Sequence, residues 1–155
     1  DFFGGYLSAL SAIVREVGPK FIRNVDSISG NYDTMISMSF ATSATKTTNG
    51  VTYRMPNAVT VNTQSSLFNL LYTHSGHVGE RRPDVGGYDA GSLEARITAI
   101  LHEVAHLVQG SNGDWLIPDD NPNTTGGQSR TNTQTIVDNC RNEINQAAAA
   151  ARSPR

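Results

Sequence analysis

The spacing of hydrophobic positions changes along the chain, and each change predicts an element. Leu7, Leu10, Ile13, Val14 and Val17 recur at helical spacing and stop at Gly18 and Pro19, as an N-terminal packing helix would. Phe21, Ile22, Val25 and Ile28 continue the spacing and predict a second short helix before Gly30. The period then shortens. Ile36, Met38 and Phe40 alternate with serines, and Val51, Tyr53 and Met55 alternate with Thr52 and Arg54. Between these runs lie Asn49 and Gly50, a pair suited to two positive φ angles, so a β-hairpin is expected. A further short strand is expected over residues 59–61, and the strand methionines read as core filler.

Residues 72–91 read as a loop containing Gly, His and Arg. A helix is predicted from Ser92, with Leu93, Ile97, Ile100, Leu101, Val104 and Val108 on its buried side and Gly110 and Gly113 ending it. Residues 111–130 form a second long loop, rich in Asp, Asn, Pro and Gly; loops of this length in a compact domain are usually functional or mobile. Thr-Asn-Thr-Gln at 131–134 fits a capping box opening a last helix, whose stripe is Ile136, Val137, Cys140 and Ile144. The tail from Ala147 is expected to fray. No internal repeat is visible.

At 155 residues the chain is expected to form a single domain, 1–155, of α+β class: a small sheet with a hairpin, and helices at both ends. Apolar residues make up 37% and charged residues 17%, which argues against a disordered tail and against a membrane protein. A net charge of −2, with no basic run beyond Arg81 and Arg82, leaves no electrostatic footprint for nucleic acid or an anionic membrane. Many Ser, Thr, Asn and Gly accompany only two lysines, Lys20 and Lys46, a balance that fits a secreted protein. The chain opens on Asp1 without a hydrophobic leader, which suggests a removed leader or a longer precursor. Cys140 is the single cysteine, so no internal disulfide framework exists, and it reads as a buried apolar residue.

The densest chemistry is His-Glu-Val-Ala-His at 102–106. Residues four apart share one face of a helix, so His102 and His106 present two imidazoles to one point, as a zinc ion needs. Glu103 is turned aside from the ion yet within reach of a metal-activated water, the place of a general base. Chance would produce this motif in only about 0.3% of shuffles of this composition, so two unrelated surface histidines are the weaker reading.

A catalytic zinc takes three protein ligands and keeps one position open. Asp120 is the expected third ligand, because a chain leaving the helix can fold back beneath it. Asp119, Asp114, His74, His77 and Glu143 are the alternatives. His74, His77 and Tyr88 are also candidate donors to a developing oxyanion, and equally ordinary loop or packing residues. No serine sits in a nucleophile-elbow context.

With this motif the chain resembles the zincin metallopeptidases. His-Glu-Val-Ala-His-Leu, Ile-Pro-Asp-Asp at 117–120 and Asn-Thr-Gln-Thr-Ile-Val-Asp-Asn-Cys at 132–140 resemble small secreted bacterial metallopeptidase-like domains. That resemblance covers about residues 86–140. It implies a zincin-like fold, with residues 59–61 as the cleft's edge strand pairing with an extended peptide. An Asp third ligand would make the site similar to aspzincins, although the GTxxxxYG segment of the deuterolysin branch is absent. The implied activity is zinc-dependent peptide-bond hydrolysis on a peptide or protein substrate. The competing expectation is a zinc-binding module without catalytic activity.

Overall fold

The computed structural model describes residues 22–25, 28, 33–39, 45–48, 50–54, 56, 58–73, 75–120 and 127–153. The helix expected over residues 7–17 lies outside them. Among the described residues the fold is α+β, with two small sheets and two α-helices. The strands are β1 (Ile22–Val25), β2 (Ile36–Ser39), β3 (Thr45–Thr48), β4 (Val51–Arg54) and β5 (Ala58–Asn62). The helices are α1 (Leu93–Ala105) and α2 (Gly127–Arg152).

The expected helix around Ile22 is instead strand β1. Its β-branched residues lie parallel to β5, with Ile22 opposite Val59 and Val25 opposite Asn62. A four-residue spacing fits a helix locally, and the sheet partner overrides it. Antiparallel β2 flanks the other side of β5, with Ile36 opposite Val61, so the order is β1-β5-β2. The strand over 59–61 is therefore present but central: both of its edges are already paired, and it cannot be the edge strand.

The hairpin forms at the expected turn, where Gly50 has φ +79°, but its first strand is β3 rather than the Ile36 segment. Register runs from Thr45 opposite Arg54 to Thr48 opposite Val51. On its far side β4 meets the chain leaving α1. Arg54 N donates to Leu107 O at 2.8 Å, Gln109 N donates to Thr52 O at 2.9 Å, and Tyr53 bridges to Val108.

Ser92 caps α1, its hydroxyl accepting from Ala95 N at 3.0 Å. The helix ends at Ala105, before Gly110 and Gly113, because residues 107–109 extend to pair with β4. Its buried face is Ala95, Thr98, Ala99, His102, Val104 and Ala105, whereas Ile100 is 48% exposed. Of the expected face, Val104 and Val108 are buried and Ile97 and Leu101 pack against the core, while Ile100 is exposed and His102 is taken into the interior. The small side chains of the buried face let α2 come close. Gly86, at φ +62°, fills the junction: a Cβ there would lie 2.5 Å from Val137 Cγ2 and 3.3 Å from Thr133 Cγ2.

The last helix begins one turn earlier than expected. Thr131 lies inside it, its hydroxyl bonded back to Gly127 O at 3.0 Å, so 131–134 is no capping box. The expected fraying from Ala147 is not seen. Ala148 is buried, and Arg152 makes two hydrogen bonds of 2.6 Å to Glu94, tying the end of α2 to the start of α1. The expected stripe of Ile136, Val137, Cys140 and Ile144 is buried. Most of it joins one core with Val51, Tyr53, Val104, Leu107, Val108 and Ile117, and Met38 and Val59 pack against that core. No described helix is long and apolar enough to cross a membrane.

Candidate metal centre

Beyond α1 the chain pairs with β4, turns at Gly110 to Gly113, and returns beside itself, where Leu116 N donates to Val108 O at 2.9 Å. Ile117, 1% exposed, anchors the return in the core. Three residues on, at Asp120, the chain has come back under the last turn of α1. This is the fold-back expected from the position of Asp119 and Asp120 in the loop, and it brings Asp120 to the two histidines.

His102 Nε2 lies 3.1 Å from His106 Nε2 and 3.2 Å from Asp120 Oδ2, and His106 Nε2 lies 3.5 Å from Asp120 Oδ1. Ligands about 2.0–2.1 Å from a tetrahedral ion stand about 3.3–3.4 Å apart, and each of these contacts is near that spacing, with the two histidines facing different oxygens of Asp120. His102, His106 and Asp120 form a group that could hold a metal ion. Both imidazoles are well covered, with His102 5% exposed. A bare imidazole nitrogen beside a carboxylate oxygen or a second imidazole nitrogen needs a positive charge between them, a proton or a metal ion. The donor set of two imidazoles and one carboxylate suits a borderline divalent ion.

The other expected residues fall elsewhere. Asp119 turns outward to Arg54 Nη1 at 3.3 Å, and Asp114 accepts from Asn112 at 2.8 Å in the turn. His77 pairs with Glu80 at 3.0 Å on an exposed 3-10 turn, Ser75–His77, and His74 lies outside the described residues. Glu143 is exposed on α2 beside Cys140. Tyr88 packs on the core and gives its hydroxyl proton to Asn145 Oδ1 at 3.0 Å, which occupies it away from the cluster.

Glu103 stands between the histidines in sequence, partly buried. Burial pushes its carboxyl above the ordinary glutamate range; His102 and His106 oppose the rise and Asp120 adds to it. Burial also works to raise the Asp120 carboxyl, but hydrogen bonds to His102, His106 and Ser129 outweigh it and hold the group well below the usual carboxylate range.

Sequence reading missed a layer of support from α2. Thr133 Oγ1 meets His102 Nδ1 at 3.0 Å and bonds to Ser129 O at 2.9 Å. Asn132, 1% exposed, donates to Asp120 Oδ1 at 2.7 Å and to Pro118 O at 2.8 Å. His106 Nδ1 is buried and has no partner among the described residues. Ser129 and Thr133 also line a cavity of about 690 Å³ with Asp33, Tyr72, Gly87 and Arg130, so cavity and cluster share a wall. Comparison with family models, with curated proteins and with solved structures finds no match.

Proposed function

We propose that this chain is a zinc-dependent hydrolase of peptide bonds with a zincin-like site, in which His102, His106 and Asp120 hold the metal and Glu103 is the general base. The reading rests chiefly on the convergence of His102, His106 and Asp120 at the end of one helix, with contacts of 3.1–3.5 Å among them, and on the Glu103 carboxylate of that helix near them. When bound, zinc supplies Lewis acidity toward water and the scissile carbonyl. Glu103 takes a proton from the attacking water and returns it to the leaving nitrogen. Its burial supports this role, because a carboxylate shielded from solvent is a stronger base toward a nearby water. The adjoining cavity is of a size that receives a substrate side chain. The substrate is a peptide or protein, and a secreted location fits the weakly charged composition.

The test joins metal analysis to turnover. Purified protein is expected to carry one zinc per chain and to cleave a diverse peptide library. Glu103→Gln is expected to keep the zinc and lose at least about 10³-fold in kcat, the scale of a positioned base together with its water. Zinc binding without cleavage by the wild type would favour the non-catalytic zinc module, and cleavage by Glu103→Gln at the wild-type rate would remove Glu103 from its role.

A further inference from the structure

We infer that Thr133 and Asn132 are positioning residues for the metal. Thr133 fixes which nitrogen of His102 is bare, and Asn132 fixes how Asp120 is turned. The inference rests on the metal-site reading above and concerns residues that the motif does not contain.

The assignment follows from counting protons. The Thr133 hydroxyl has one hydrogen and two neighbours, His102 Nδ1 at 3.0 Å and Ser129 O at 2.9 Å. A backbone carbonyl only accepts, so the hydroxyl hydrogen goes to Ser129 O. The oxygen must then accept from His102, which places a proton on Nδ1 and leaves Nε2, the nitrogen facing His106 and Asp120, as the one a metal can take in place of its proton. Thr133 itself cannot swing away freely. Its methyl lies where Gly86 leaves room for it, 3.3 Å from the place a Cβ at residue 86 would occupy.

Asn132 works by the same logic. Gln128 Nε2 donates to its Oδ1 at 3.0 Å, so the amide NH₂ must face the other way. Its two hydrogens then satisfy Pro118 O and Asp120 Oδ1. A flipped amide would set its oxygen against a carbonyl and a carboxylate. One carboxylate oxygen is therefore engaged by the amide, while Oδ2 faces His102. Adjacent residues of α2 thus orient two ligands that come from two different segments of the chain.

The full-length protein is titrated with Zn²⁺ in competition with a chromogenic chelator. Thr133→Val, which keeps the shape and removes the hydroxyl, is expected to weaken zinc binding about 10- to 100-fold, the range found when an outer-layer partner is lost. Thr133→Ser restores the oxygen and is expected to return to within about 3-fold of wild type. Asn132→Ala is expected to fall in the same range as Thr133→Val. Equal affinity in wild type and Thr133→Val, or a Thr133→Ser as weak as Thr133→Val, overturns the role of Thr133; unchanged affinity in Asn132→Ala overturns that of Asn132. If Thr133→Val does not fold, a long-range ¹H–¹⁵N spectrum of wild type with chelator decides. A proton on His102 Nδ1 is expected, and an Nδ1 without one overturns the assignment. A wild-type chain that takes up no zinc overturns the metal-site reading and this inference with it. Wild-type binding combined with insensitive variants overturns the inference alone.

Discussion

Two histidine–carboxylate contacts in this protein have nearly the same length and opposite character. His77 and Glu80 meet at 3.0 Å with side chains 62% and 63% exposed, three residues apart on one surface turn. His102 and Asp120 meet at 3.2 Å with the histidine side chain 6% exposed, and eighteen residues of chain are folded to bring them together. Water screens the first pair, which holds little beyond its own turn. The second has a further imidazole at 3.1 Å, a hydroxyl fixing its back nitrogen and an amide fixing its carboxylate. A histidine next to an acid is therefore no sign of a metal site; convergence, burial and an outer layer that orients the ring are.

Substitution of ligands should separate the pairs most sharply. His102→Ala or Asp120→Ala is expected to lower zinc affinity by more than about 10³-fold, since two remaining ligands seldom hold the ion. His77→Ala is expected to leave affinity and stoichiometry unchanged, as read by the same chelator competition. Zinc retained in Asp120→Ala and lost in His77→Ala would reverse the distinction.

The outer layer can be disturbed from behind. Gly86→Ala asks a residue with a side chain to hold φ +62° and drives a Cβ to 2.5 Å from Val137. A loss of about 2–4 kcal/mol in unfolding free energy is expected, together with weaker zinc binding as Thr133 is pushed, while the His77–Glu80 turn stays as it is. Chemical denaturation and metal titration measure the two effects. Unchanged stability would mean that α1 and α2 are packed less closely than described.

Glu94 and Arg152 make a third carboxylate contact, one that joins helices without approaching the cluster. Its hydrogen bonds to Arg152 hold the Glu94 carboxyl below its ordinary value. A depressed folded-state pKa contributes stability above the unfolded pKa, and that contribution is lost as pH falls through the folded one. Glu94→Gln is therefore expected to lower Tm slightly at pH 7 and to match wild type once pH falls well below about 4, with zinc affinity unaffected. A Tm difference that grew on acidification would contradict the assignment.

Local rules carried part of this structure and stopped at long-range contacts. The i, i+4 spacing of His102 and His106 placed both rings on one face because a helix leaves little choice. Asn49 and Gly50 marked the hairpin turn for the same reason. Pairing was less legible: Ile22 and Val25 have helical spacing, and only β5, far along the chain, makes them a strand. Asp120 could be favoured from loop position, but nothing in the sequence says that Asp119 beside it turns to Arg54. Residues 131–134 look like a helix start, and that likeness concealed their use, since Thr133 meets His102 across 31 positions. Local propensity cannot register a contact of that separation.

The most direct measurement is an anomalous-difference map at the zinc absorption edge on crystals grown with zinc. One peak is expected, about 2.0–2.2 Å from His102 Nε2, His106 Nε2 and an Asp120 oxygen. A zinc peak held by Asp119, Asp114 or His77 in place of Asp120, or no peak at the end of α1, would contradict the centre described here.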